Sequence, residues 1–229
     1  MSILRDFAEI GRLLHRKSPY EGFDASDHLT DLQGWNGTDP LFERVLKVLR
    51  PNLVIEVGSW KGQSTVNMAK IARDLALPTR IICVDTWLGS IEHWDQNRPD
   101  DIYSSLQKRN GYPQLYYTFL GNVVKEELCD YVLPFPQTSI NAYEWFRRHK
   151  VQADFIYLDS TLEYEAVRMD AQCYWRLLSD GGVLVGDDYP REGVQRAAHD
   201  FASEVGRDLV VIGPKWLIAK EASLKDILK

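Results

Sequence analysis

Only Gly213-Pro214 separates two runs that both read as strands, Asp208 to Ile212 and Lys215 to Ala219. Two residues cannot carry a helical crossover, so these strands form an antiparallel hairpin. From Leu53 to Val205 the pattern is the opposite: short apolar runs alternate with longer segments of helical period. That alternation predicts a parallel sheet covered by helices on both faces. An α/β doubly wound sheet closed by an antiparallel hairpin satisfies both constraints.

In chain order, Leu4, Phe7, Ile10 and Leu14 recur at helical spacing and predict an amphipathic N-terminal helix that covers the core or a partner subunit. A loop rich in Gly, Asp and Ser follows to about Asn36. Residues 1–33 read as an extension and residues 34–229 as the main domain. Asp39-Pro40 predicts an N-cap and first turn for a helix that stops before Pro51. Strands are expected at Leu53 to Val57, Arg80 to Val84, Val132 to Phe135 (weakened by Pro134), Asp154 to Leu158 and Val183 to Val185. Helices are expected at about Ser64 to Leu75, Ile102 to Lys108, Ile140 to His149, Glu163 to Leu178 and Val194 to Val205. Tyr112 to Asn122 is aromatic-rich and unassigned, and the tail Glu221 to Lys229 reads as a short helix.

The formal net charge of -6 argues against a nucleic-acid backbone as the main partner. No apolar run is long enough to cross a bilayer, and Met1 to Gly11 lacks the core of a signal peptide, so a cytoplasmic protein without a membrane partner is expected. The three cysteines, Cys83, Cys129 and Cys173, are odd in number and widely spaced, which fits reduced thiols.

Ligands of a doubly wound sheet bind outside the carboxyl ends of its strands. Acidic residues fall at four such places: Glu56, Asp85, Asp159 and the pair Asp187-Asp188. Glu56 is followed by Gly58-Ser59-Trp60-Lys61-Gly62, where glycine lets the backbone turn tightly against a ligand. Asp85 stands where a carboxylate accepts both hydrogens of a ribose diol. Asp159, Asp187 and Asp188 are expected to converge, and so close a set calls for protonation or for a cation; oxygen ligands without His or Cys favour Mg²⁺ or another divalent ion.

The run from Gly34-Trp35 to the final hairpin resembles the Rossmann-like class I SAM-dependent methyltransferases, and among them metal-dependent small-molecule O-methyltransferases of the macrolide-sugar and cephalosporin-hydroxylase-like group. The residues that carry the likeness are Ile55 to Gly62, Val84-Asp85-Thr86-Trp87, Phe155 to Asp159 with Tyr164-Glu165, and Gly181 to Tyr189. The resemblance implies a seven-stranded sheet and a SAM site made by Glu56, Gly58, Ser59, Asp85, Thr86, Trp87, Gln137, Thr138 and Ser139, with Trp87 near the adenine. It implies a metal held by Asp159, Asp187 and Asp188, a hydroxylated small-molecule acceptor, and a homo-oligomer.

One departure bears on catalysis. Relatives read Asp-Gly-Ser-His where this chain reads Asp159-Ser160-Thr161-Leu162, and Leu162 cannot take the proton that the family's histidine is thought to take. Either the acceptor is acidic enough to ionise on the metal, or another group substitutes, His93 first, with Lys61, Glu163 and Tyr189 behind it. The chief alternative is a SAM-binding protein with little or no turnover. A nicotinamide-dependent dehydrogenase fits less well, because the glycine spacing is not G-x-G-x-x-G. Trp35, Trp87, Trp94 and Tyr189 read equally as an apolar wall for an aromatic acceptor or as core and interface.

Overall fold

The computed structural model describes residues 3–221. Its strands are β1 (Leu53–Val57), β2 (Arg80–Asp85), β3 (Val132–Pro136), β4 (Ala153–Leu158), β5 (Leu178–Gly186), β6 (Val210–Ile212) and β7 (Lys215–Ala219). They form one seven-stranded sheet in the order β3-β2-β1-β4-β5-β7-β6. The first five run parallel, and β7 pairs antiparallel with both β5 and β6. The two-residue connection therefore does produce the hairpin that its length demands.

Helices α1 (Phe7–His15), α5 (Ser139–His149), α6 (Tyr164–Trp175) and α7 (Glu192–Val205) cover one face, where Ile10, Phe146, Tyr174 and Phe201 pack on Ile55, Ile82 and Ile156. Helices α2 (Leu41–Leu49), α3 (Gln63–Asp74) and α4 (Leu115–Lys125) cover the other, on Val54, Cys83, Phe155 and Val185. Side chains alternate faces along a strand, so burial on both sides makes β1 apolar at every position except Glu56.

Several boundaries differ from expectation for visible reasons. β3 tolerates Pro134 and Pro136 because it is an edge strand. β5 begins at Leu178 and keeps Asp180-Gly181-Gly182 within the strand, since its register against β4 shifts between Ala153 and Phe155 and absorbs them. The helix expected over Ile102 to Lys108 is a single 3₁₀ turn, Ile102–Leu106, bounded by left-handed backbone at Asp101 and Gln107. The unassigned aromatic segment contributes α4, whose Phe119 ring lies 4.9 Å from that of Trp87. Asp39 accepts from the Leu41 N–H at 2.8 Å, one residue ahead of the observed cap position, Pro40. From residue 222 onward the expected C-terminal helix lies outside the described residues. The three cysteines are free, and no helix among the described residues is long and apolar enough to cross a membrane.

Candidate active site

In the strand order, β1 and β4 are neighbours, so the sheet changes winding direction between them. That switch point opens a crevice at the carboxyl ends of the strands. The turn from Gly58 to Gly62 stands there with three left-handed residues, Gly58 (φ 87°), Trp60 (φ 48°) and Gly62 (φ 88°).

Two carboxylates hold this turn from behind. Glu56 is fully buried. It accepts hydrogen bonds from the hydroxyls of Ser59 (3.1 Å), Ser64 and Thr65, with the Cys83 thiol at 3.5 Å. Burial raises its pKa, and the hydroxyl donors only partly offset that. Its carboxylate thus ties β1 to the first turn of α3. The expectation that Glu56 lines the cofactor gives way to that anchoring role, because the side chain has no exposed surface and bonds to Ser59, Ser64 and Thr65 within the fold.

Asp85 accepts the backbone N–H groups of Ser59 (2.9 Å) and Trp60 (2.8 Å) on one oxygen and that of Trp87 (2.7 Å) on the other. Burial nevertheless raises its pKa. It fixes the turn after β1 against the loop after β2, and the indole N–H of Trp87 adds a bond to the Trp60 carbonyl at 2.7 Å. Trp87 is itself buried, 2 % exposed, and packs on Tyr116 and Phe119, so its ring is core and not an adenine wall. Thr86 accepts from the Leu88 N–H. At the end of β3, Gln137 bonds to Asn141 and to the Thr138 N–H, the Thr138 hydroxyl caps α5, and the Ser139 carbonyl accepts from Tyr174.

Trp35 and His93, each singled out in the sequence, are brought together at the turn by Trp60, which was not. The His93 ring stacks on Trp60 with centroids 4.2 Å apart, and Trp35 lies 6.0 Å from Trp60 and 6.1 Å from His93. His93 Nδ1 receives the Ser90 N–H at 3.0 Å. In the neutral ring the proton therefore sits on Nε2, which leaves no free lone pair to accept a substrate proton. Of the other expected wall residues, Trp94 donates to the Leu88 carbonyl, and Tyr189 bonds His199 on α7. Lys61, 2 % exposed, is ion-paired with Asp31 at 2.6 Å. Glu163 is exposed before α6, and Leu162 packs against the core.

Asp159, Asp187 and Asp188 do come together, lining one crevice with Ser160, Thr161 and Trp216. Their arrangement is not that of a metal site. Among the described residues no group of three His, Cys, Asp or Glu side chains is placed to hold a metal ion. Asp187 Oδ2 instead receives the Lys215 ammonium at 2.8 Å and the Tyr157 hydroxyl at 2.8 Å, and Tyr157 also lies 3.0 Å from Asp159 Oδ2. Asp187 Oδ1 accepts the Asp188 N–H and the Asn36 amide. The expected divalent cation does not fit, because a buried amino group already occupies the inner face of the central carboxylate.

Lys215 donates to the Tyr157 oxygen at 2.9 Å, and Tyr157 has one hydrogen for two carboxylates. The remaining contact is satisfied when Asp159 itself carries a proton. Burial, then the charge of Asp187, push the Asp159 pKa well above the usual carboxyl range, with Lys215 opposing them. Burial and Asp187 likewise raise Asp188. The indole N–H of Trp216, at the rim of the same crevice, is buried and has no acceptor among the described residues.

The fold is shared with solved methyltransferases. The O-methyltransferase NovP aligns over 96% of this chain and 96% of its own with a TM-score of 0.56 and 15% identity. An O-methyltransferase from Bacillus cereus in complex with SAH aligns over 93% and 91% with a TM-score of 0.53 and 16% identity. In sequence, a rhamnosyl O-methyltransferase of Mycobacterium tuberculosis is 29% identical over 93 residues, 41% of this chain. That match spans 35% of the relative, about a third of the length of the curated relatives the chain matches. A family model described as a methyltransferase domain matches residues 55–189, more than half of the chain, which therefore belongs to this methyltransferase family.

Proposed function

We propose that the protein is a SAM-dependent O-methyltransferase acting on a hydroxyl of a small molecule. The observation that carries this reading is the glycine turn at the β1–β4 switch point, standing directly beside a crevice lined by Asp159, Asp187 and Asp188. Gly58, Ser59 and the β2 and β3 ends would hold the cofactor, which supplies an electrophilic methyl group when bound. The relatives named O-methyltransferases support the acceptor class.

Asp159 is the proton acceptor in this reading. Its carboxyl lies at the crevice, and its raised pKa makes it a stronger base than an ordinary aspartate once it has lost its own proton. Methyl transfer should accordingly increase with pH through that raised pKa. His93 would serve as a hydrogen-bond donor and stacking surface for the acceptor. Calorimetric titration with SAM tests the foundation, and no heat of binding at millimolar cofactor would reject it. Turnover is tested by label transfer from SAM to a panel of sugars, phenols and hydroxylated aromatics.

Leu162 favours a second reading, a cofactor-binding protein with little turnover. If Leu162→His gains transfer that the wild type lacks, that reading prevails; measurable wild-type turnover removes it.

A further inference from the structure

Lys215 is the residue for which neither the sequence pattern nor the family resemblance has a use. It is the first residue of β7, and its side chain is fully buried. Burying an unpaired ammonium costs several kcal/mol or more. This one is held by Asp187 Oδ2 and the Tyr157 hydroxyl, and it lies 4.7 Å from the ring centroids of both Phe42 and Tyr157.

Register explains why it stands there. Gly186 pairs with Trp216 in the antiparallel ladder, and Leu158 pairs with Gly186 in the parallel one. One residue further, Asp159, Asp187 and Lys215 succeed one another across the ends of β4, β5 and β7. The row is carboxyl, carboxylate, ammonium, with Tyr157 beneath bridging all three.

We propose that Lys215 is a built-in cation, which neutralises and orients the strand-end carboxylates in place of a divalent metal and makes this site metal-independent. The inference rests on the methyltransferase reading for its purpose but not for its test. Lys215 has no exposed surface and does not face the acceptor, so it is a positioning residue. Through Asp187 and Tyr157 it fixes the distance and orientation of Asp159, the group that meets the crevice.

Mn²⁺ reports its own binding through its electron paramagnetic resonance signal and can be titrated into the full-length protein. The wild type and Lys215→Arg, which keeps the charge, should show no bound Mn²⁺ that depends on Asp187. Lys215→Ala opens the inner face of the carboxylates and should gain one bound Mn²⁺ per chain, lost again in Lys215→Ala/Asp187→Asn. A wild-type Mn²⁺ site abolished by Asp187→Asn or Asp188→Asn would overturn the proposal. So would a folded Lys215→Ala that gains no site. Should Lys215→Ala not fold, the wild-type and Lys215→Arg titrations decide the matter alone. Absence of SAM binding in a protein that still excludes Mn²⁺ would defeat the methyltransferase reading and leave the built-in cation standing.

Discussion

Gly58 passes directly beneath Asp159: a Cβ placed on it would lie 2.1 Å from the Asp159 carbonyl oxygen and 2.8 Å from the Cα of Ser160. The glycine turn and the acidic crevice are therefore in backbone contact. Gly58→Ala has to move the end of β4 and also hold a φ of 87°, where strain alone costs on the order of 1–3 kcal/mol. Urea unfolding should show a loss of at least that size, accompanied by loss of SAM binding. Wild-type stability in Gly58→Ala would mean that the close approach is not a constraint.

Glu56 should give stability a pH dependence of definite sign. Burial holds its folded-state pKa above the ordinary glutamate value of 4.5. Its contribution is therefore fully present below the unfolded pKa and is lost as pH rises through the folded one. Glu56→Gln removes the titration while keeping the shape. The melting temperature of the wild type relative to Glu56→Gln should fall as pH rises from about 4.5 through that raised pKa. Parallel curves over that range would sink the idea.

Lys61 is 2 % exposed, and Asp31 is its paired carboxylate, on the loop that precedes the domain core. Asp31→Ala strands a buried charge and should cost roughly 3 kcal/mol in denaturant unfolding. Adding Lys61→Met removes that charge and should restore most of the loss, so the double-mutant cycle should show strong coupling. Additive losses would show that the pair contributes little.

The imidazole of His93 should titrate below the ordinary value of 6.5, because partial burial against Trp60 disfavours its charged form more than Glu92 favours it. Heteronuclear NMR measures this directly. Trp60→Ala should move the titration back upward, whereas a wild-type value at or above 6.5 would contradict the packing described.

The sheet was legible because its signals are local or periodic. Five apolar runs alternate with helices, and the Gly213-Pro214 connection is too short to admit anything but a hairpin. The acidic strand ends were legible for the same reason, since topology brings the ends of neighbouring strands together whatever the loops do. The positions where expectation and structure part depend on pairings distant in the chain. Glu56 looks like a ligand-facing acid until Ser59, Ser64, Thr65 and Cys83 are seen to enclose it. Trp87 sits in a motif that suggests an adenine wall, but α4, unassigned from its aromatic-rich sequence, covers it.

Lys215 was the least legible of all. A lysine opening a strand ordinarily marks a solvated edge, and its partner Asp187 is 28 residues away. The signal was present only in combination: continuing the antiparallel register by one residue from Gly186 and Trp216 sets Lys215 against Asp187. The aromatic stack of Trp35, Trp60 and His93 left no such trace, because its members come from three loops whose paths no period encodes.

The hairpin also ties two requirements to one strand. Asp159 and Asp187 follow β4 and β5, whereas the ammonium that balances them is carried by β7. Taking β7 away would unpair the edge of β5 and remove the buried counterion in the same stroke. Covering the sheet edge and completing the charge balance of the site are therefore a single structural event.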